Sequence, residues 1–123
     1  MKVLIYFYPR ADTPGCTKQS CAVRDALEDL KGLGVVALGI SPDPPKRQKA
    51  FDSKYELGFP LLADTECAAA DAYGVRRMKA VFGKTALGII RSAFLVDEDG
   101  RLLEVWYGVS PGDTVPNVRD ALS

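Results

Sequence analysis

Val3-Leu-Ile-Tyr-Phe-Tyr8 is followed at once by Pro9-Arg-Ala-Asp-Thr13-Pro-Gly-Cys16. The first run is continuously apolar and rich in β-branched and aromatic residues, the pattern of a strand buried on both faces. The second holds two prolines, an aspartate and a glycine, and reads as a loop. Beyond it Val23, Ala26, Leu27 and Leu30 recur at helical spacing, with Arg24, Asp25, Glu28 and Asp29 between them. An amphipathic helix is expected over about 16–31, stopped by Gly32 and Gly34. A buried strand running through a short loop into a helix begins an open α/β sheet, and the loop lies beyond the carboxyl end of a strand, where such sheets bind ligands.

The rest of the chain extends this unit. Val35–Ile40 reads as a second buried strand, and Ser41-Pro-Asp-Pro-Pro45 as a loop entering a helix with proline in its first turn. Ala50, Phe51, Tyr55 and Leu57 are expected to face inward there, with Lys46, Arg47 and Lys49 on a solvated face. Pro60–Asp64 suits a short third strand, and Asp64 or Thr65 can cap an alanine-rich helix that runs through Tyr73 to Gly74. Arg76–Gly88 reads as less regular, with two basic clusters. Ile89–Val96 and Arg101–Tyr107 pair as strands around an Asp97–Gly100 turn, and Asp113–Leu122 closes the chain as a helix. Asp97 and Asp99 echo a calcium loop, but the later ligands of such a loop are missing, so a turn is expected. The order is βαβαβα, a ββ hairpin and a final α, in a single domain spanning residues 1–123. Right-handed crossovers place the first three strands side by side and parallel. The hairpin then joins the open side of the first strand. The expected architecture is α/β and thioredoxin-like: a five-stranded mixed sheet in the order 3-2-1-4-5 with helices on both faces.

Composition narrows the chemistry. The 123 residues are 47% hydrophobic and 26% charged, ordinary globular values, and a chain of this size buries roughly two thirds of its unfolded surface. Sixteen basic side chains balance sixteen acidic ones, which leaves no charge footprint for nucleic acid or an anionic membrane. No stretch approaches the ~18 apolar residues of a membrane span. The apolar run after Met1-Lys2 is too short for a signal-peptide core and lacks a cleavage site, so a cytoplasmic protein is expected. There is no histidine, which excludes Ser-His-Asp and Cys-His nucleophiles and His-bearing zinc sites. Three cysteines are too few, and of the wrong parity, for a disulfide scaffold.

Cys16 falls where the first strand hands over to the first helix. Unpaired amides and partial positive charge at a helix start favour a thiolate there. The alternative is a buried, inert thiol. Thr13, three residues earlier, can donate to a thiolate or a bound oxygen, or cap the helix. Pro9 can shield the sulfur from water, or simply end the strand. Cys21 follows after four residues, which excludes a Cys-x-x-Cys motif, and Arg24 stands where an iron–sulfur motif needs a cysteine. Residues five apart on an intact helix lie roughly 8–9 Å apart by Cα, beyond the ~7 Å reach of a disulfide. A static Cys16–Cys21 bridge is not expected; a transient one requires local unwinding. Cys67 reads as a packed or surface thiol near the start of the third helix.

Pro9, Thr13 and Cys16 fit Pro-x-x-x-Thr-x-x-Cys, the peroxiredoxin signature. The run Tyr6–Cys21 resembles the bacterioferritin comigratory protein, or peroxiredoxin Q, group. The likeness continues through Leu38–Ser41, Phe59–Asp64, Tyr73–Val75, Gly83–Thr85 and Gly88–Asp97. The resemblance implies a thioredoxin-dependent thiol peroxidase of the atypical two-cysteine type, acting on hydrogen peroxide and small organic hydroperoxides. It implies Cys16 as the attacking cysteine, Cys21 as its resolving partner in an intramolecular disulfide, Thr13 and Arg91 as the peroxide site, and Pro9 as its shield. It implies thioredoxin or a similar dithiol as reductant, no metal or cofactor, and a monomer or weak homodimer. Members of the group usually carry a β-hairpin ahead of the strand that comes first here; it is absent from this sequence, so Val3, Ile5 or Phe7 is expected to be less well covered. A general disulfide oxidoreductase and a non-catalytic or sensor thioredoxin-fold domain are the competing readings; Thr13, Arg91 and the missing Cys-x-x-Cys speak against the first.

Overall fold

The computed structural model describes residues 1–123 apart from the side chain at position 81. In chain order the elements are β1 (Lys2–Phe7), α1 (Pro14–Asp25), α2 (Leu27–Gly32), β2 (Val35–Ser41), α3 (Pro45–Tyr55), β3 (Leu61–Ala63) and α4 (Ala68–Ala72). Then follow β4 (Arg76–Val81), β5 (Lys84–Ile89), β6 (Ser92–Val96), β7 (Leu102–Tyr107) and α5 (Thr114–Leu122). Five strands form one sheet in the order β3-β2-β1-β6-β7, the expected topology. β1 runs parallel to β2, with Ile5 opposite Leu38, and antiparallel to β6, with Ile5 opposite Phe94.

β1 is the middle strand, and its alternation separates two cores. Leu4, Tyr6 and Tyr8 pack on one face with Val23 and Leu30 from the first two helices, Phe51 from α3 and Val118 from α5. Phe7 packs on the other with Phe94, Ala70, Val75 and Ile89. Phe7 is fully buried, whereas Val3 and Ile5 are half-buried. On β2, Val36 is exposed, so that strand is not covered on both faces as its apolar run suggested.

Other expectations need correction. The helix over 16–31 begins earlier, at Pro14, and breaks at Ala26, whose amide is shared between the Ala22 and Val23 carbonyls in a tightened turn. The apolar face survives the break, since Val23, Ala26 and Leu30 are all buried. Arg76–Gly88 is regular after all: β4 and β5 form a separate two-stranded sheet, turned by Phe82 and Gly83 at φ +52° and +77°. Two positive φ values are what a two-residue hairpin needs, but Phe-Gly is not among the usual turn pairs. The strand expected from Ile89 is interrupted at Ile90 and Arg91 and resumes at Ser92. In α3 the inward positions are Gln48, Phe51 and Tyr55, not Ala50, which is exposed. Gln48 is tolerated inside because it accepts the Tyr8 hydroxyl at 2.5 Å and donates to the Leu62 carbonyl at 3.0 Å. Arg47, expected on the solvated face with Lys46 and Lys49, is half-buried. Asp64 caps α4 through its side chain, accepting the Ala69 and Ala70 amides.

Gly39 permits the closest approach in the sheet. A Cβ there would lie 2.8 Å from Leu61 Cδ2 and 2.9 Å from the Tyr6 hydroxyl. Gly39→Ala is expected to cost about 1–3 kcal/mol in denaturant unfolding, while Gly32→Ala, with open space around it, leaves the midpoint essentially unmoved. Burial also pushes the Tyr6 and Tyr8 phenols well above the ordinary value of 10.0. The fold keeps them neutral, so their contribution is intact below pH 10 and is lost as pH rises further, when the unfolded chain's tyrosines ionise first. Unfolding titrations should show stability falling above pH 10, with a shallower slope in Tyr8→Phe.

Candidate active site

α1 starts abruptly because Pro14 occupies its first turn, where a missing amide costs nothing. Cys16 follows in that same turn and is 1% exposed. Its sulfur is in contact with one cation: Nη1 and Nη2 of Arg91 each lie 3.5 Å from Cys16 Sγ. A guanidinium presenting two nitrogens to a sulfur stabilises negative charge there, and the first-turn amides of α1 act in the same direction.

Arg91 is itself held in place. Its Nη1 donates to Gln19 Oε1 at 2.8 Å, and Gln19 Nε2 donates to Thr114 Oγ1 at 3.0 Å. Gln19 and Thr114 are both buried, so the relay runs from the guanidinium through α1 to the start of α5 without meeting solvent. The Arg91 carbonyl accepts the Val109 amide at 2.9 Å, and the Ile90 amide donates to Val75. Neither Gln19 nor Thr114 stood out in the sequence. The signal was there: Gln19 shares the inward face of α1 with Cys16 and Val23, where an apolar residue is the rule.

Thr13 takes the N-cap position with extended backbone, but its side chain makes no cap bond. Its Oγ1 donates to the Arg10 carbonyl at 2.8 Å. The hydroxyl proton is committed to the loop, and the oxygen is left as an acceptor beside the helix start. In this structure the hydroxyl neither caps α1 nor bonds to Cys16. Pro9 is half-buried just past the end of β1, where the last bond to β2 is the one that the Tyr8 amide donates to Ile40.

Cys21 lies further along α1, half-buried against the same core cluster as Cys16, and both are free thiols. Gln19 and Ser20 lie between them and are fully buried. Ser20 Oγ shares a hydrogen bond with the Tyr6 hydroxyl at 2.8 Å. Cys67 stands apart: it is the N-cap of α4, at φ +59°, and packs in the Phe7 cluster.

Gly15 gives Arg91 its access. A Cβ at Gly15 would stand 2.9 Å from Arg91 Nη2. Gly15→Ala should therefore push the guanidinium off the sulfur and slow alkylation of Cys16 by iodoacetamide about three- to tenfold. The rate is read by mass spectrometry of the Cys16 peptide.

The AhpC/TSA family model matches residues 1–105. The peroxiredoxin Bcp of Bacillus subtilis is 41% identical over 120 residues, 98% of this chain and 76% of that protein. The peroxiredoxin Bcp of Escherichia coli K12 is 46% identical over 105 residues, 85% of this chain and 67% of that protein. The bacterioferritin comigratory protein of Xanthomonas campestris, described for its alkyl peroxide reduction activity, superposes with a TM-score of 0.91 at 34% identity, covering 98% of this chain and 77% of that one. Among the described residues no helix is long and apolar enough to cross a membrane. A sulfur at a helix start, faced by an arginine from the connection between β5 and β6, on a chain alike to these relatives over 85–98% of its length, places it in the AhpC/TSA family as a thiol-dependent peroxidase of the bacterioferritin comigratory protein group.

Proposed function

We propose that Cys16 reduces hydrogen peroxide and small organic hydroperoxides, and that Cys21 resolves the product within the same chain. The contact of both Arg91 terminal nitrogens with Cys16 Sγ carries this reading. The Cys16 thiolate attacks the terminal peroxide oxygen. An S–O bond forms as the O–O bond breaks, the sulfur is oxidised by two electrons, and the alkoxide leaves to take a proton and depart as alcohol, or as water from hydrogen peroxide. Arg91 and the α1 amides face the charge that moves onto the leaving oxygen. Thr13 offers an acceptor for a peroxide hydroxyl, and Pro9 limits water beside the sulfur.

Resolution needs motion. Cys21 Sγ must attack the sulfenic sulfur and expel water, which is impossible while α1 is intact. Unwinding breaks three contacts made by the residues between the cysteines: Gln19 to Arg91, Gln19 to Thr114 and Ser20 to Tyr6. Those contacts hold Cys16 in the reactive geometry and also set how readily it escapes. A dithiol reductant, thioredoxin or a similar protein, then takes up the bridge, its own two thiols becoming a disulfide. Because both cysteines sit on α1, a second copy is not needed, which suits a monomer or weak homodimer acting as one domain. A cycle that begins and ends on free thiols suits the reducing cytoplasm.

The decisive experiment mixes the purified chain with hydrogen peroxide and a dithiol reductant. Consumption should be lost in Cys16→Ser; an unchanged rate in that variant sinks the proposal. After one equivalent of peroxide, mass spectrometry should find a Cys16–Cys21 bridge within the monomer; a Cys16–Cys67 bridge would remove Cys21 from its role. Tyr6→Phe leaves Ser20 without its partner and should speed bridge formation about fivefold, the effect of roughly 1 kcal/mol on unwinding. Rapid acid quench and alkylation give that rate.

A further inference from the structure

The loop that carries Pro9 and Thr13 is clasped by an ion pair from the next βα unit, formed by a buried carboxylate and a half-buried guanidinium. Asp43, just past the end of β2, is 8% exposed, and its Oδ2 accepts the Ala11 amide at 2.6 Å. The Ala11 carbonyl accepts Nη2 of Arg47, in the first turn of α3, at 3.0 Å. Arg47 Nε lies 3.0 Å from Asp43 Oδ1 without the alignment of a hydrogen bond, so the two side chains meet as charges. The Ser41 hydroxyl donates to Asp43 Oδ2 at 2.7 Å. Both backbone groups of one fully buried loop residue are thus held by opposite charges that are paired with each other.

Burying a carboxylate sacrifices its hydration, and this one recovers it from a loop amide, a hydroxyl and a guanidinium. The strand does not need that support, since the β1–β2 ladder already extends to Tyr8 and Ile40. What the pair determines is the path beyond Tyr8. Asp12, next to Ala11, is held at φ +61°, and Lys54 Nζ and the Tyr55 hydroxyl bind its carboxylate at 3.0 and 2.9 Å. Thr13 then turns its hydroxyl onto the Arg10 carbonyl. The Thr13 oxygen is therefore placed by the Arg10–Asp12 backbone, and that backbone is placed by Asp43 and Arg47. Arg91 and Gln19, which hold the sulfur side, touch none of these groups.

We propose that Asp43 and Arg47 are positioning residues of the peroxide site, acting through the Ala11 peptide to set the Thr13 oxygen opposite Cys16. This rests on the peroxidase reading above. It predicts a selective defect: peroxide, whose oxygens must be oriented, reacts slowly, while iodoacetamide, which needs only the sulfur, does not.

The test uses the full chain and measures both second-order rates at one pH, beside the unfolding midpoint. Asp43→Ala should lower the peroxide rate about tenfold to a hundredfold and change alkylation by less than about threefold. Asp43→Asn should recover part of the loss, because its amide oxygen can still accept the Ala11 N–H. Arg47→Ala, at a side chain 39% exposed, tests the carbonyl half of the clasp if Asp43→Ala fails to fold, and should show the same selectivity. Peroxide and alkylation rates falling together in a folded variant, or a wild-type peroxide rate in Arg47→Ala, overturns the proposal. Failure of the peroxidase reading would look different, with the unaltered chain consuming no peroxide or Cys16→Ser consuming it at the same rate.

Discussion

Phe7 stands opposite Ser92 in the antiparallel pairing of β1 with β6, and opposite Ile40 in the parallel pairing with β2. Everything at the site follows from that register. The chain leaving β1 toward Cys16, the chain leaving β2 toward Asp43, and the residue entering β6, Arg91, all emerge at one end of the sheet, beyond the carboxyl end of β1. Strand period is two residues, so a slip by one in the β1–β6 pairing would send Arg91 to the opposite face. The two-sided core around β1 makes such a slip costly. It would turn Ala93 and Leu95 away from the larger cluster and Phe94 away from Phe7.

Most of the buried polar side chains belong to the elements that meet at this end of the sheet. Gln19 and Ser20 on α1, Ser41 and Asp43 at the end of β2, Gln48 on α3, Ser92 at the start of β6 and Thr114 at the start of α5 are all nearly inaccessible. In the middle of either core each would be a liability. Here each has a partner, and together the partners constrain the loop, the first turns of α1 and the guanidinium. The arrangement works against itself in one respect. On the proposed mechanism, the contacts that hold Arg91 and the first turns of α1 in place are the contacts that α1 would give up before Cys21 could reach Cys16. Hydrogen bonds of modest net strength suit that double duty better than further apolar packing, since only a few local contacts must break.

The main sheet was legible because its strands are apolar runs whose order and right-handed crossovers leave little freedom. The place of Cys16 in the first turn of α1 was legible because strand, loop and helix signals meet there. Arg91 was not, on physical grounds alone: an arginine after an apolar stretch is as good an ion-pair partner as a catalytic one, and only the resemblance singled it out. Gln19, Thr114 and Gly15 were missed for a different reason. Their importance lies in contacts with residues dozens of positions away, and no local pattern reports those. Arg47 was misread for the same reason, as one more base on a charged helix face. The β4–β5 hairpin escaped because its turn is Phe82-Gly83, where a bulky side chain adopts a backbone conformation usually left to asparagine or glycine.

By itself the sequence determined the order of the main-sheet strands, the central place of β1, the position of the Cys16 sulfur at a helix start, and, from helical spacing, that Cys16 and Cys21 cannot bridge while the helix between them is intact. These are consequences of period and spacing along one stretch of chain. Only the tertiary structure decided which cation meets the sulfur, what holds that cation, and where the Thr13 hydroxyl turns. Those depend on strand register and on the packing of α1, α3 and α5 around one end of the sheet. Register is set by the total burial of both faces, a sum over distant residues that no local window contains.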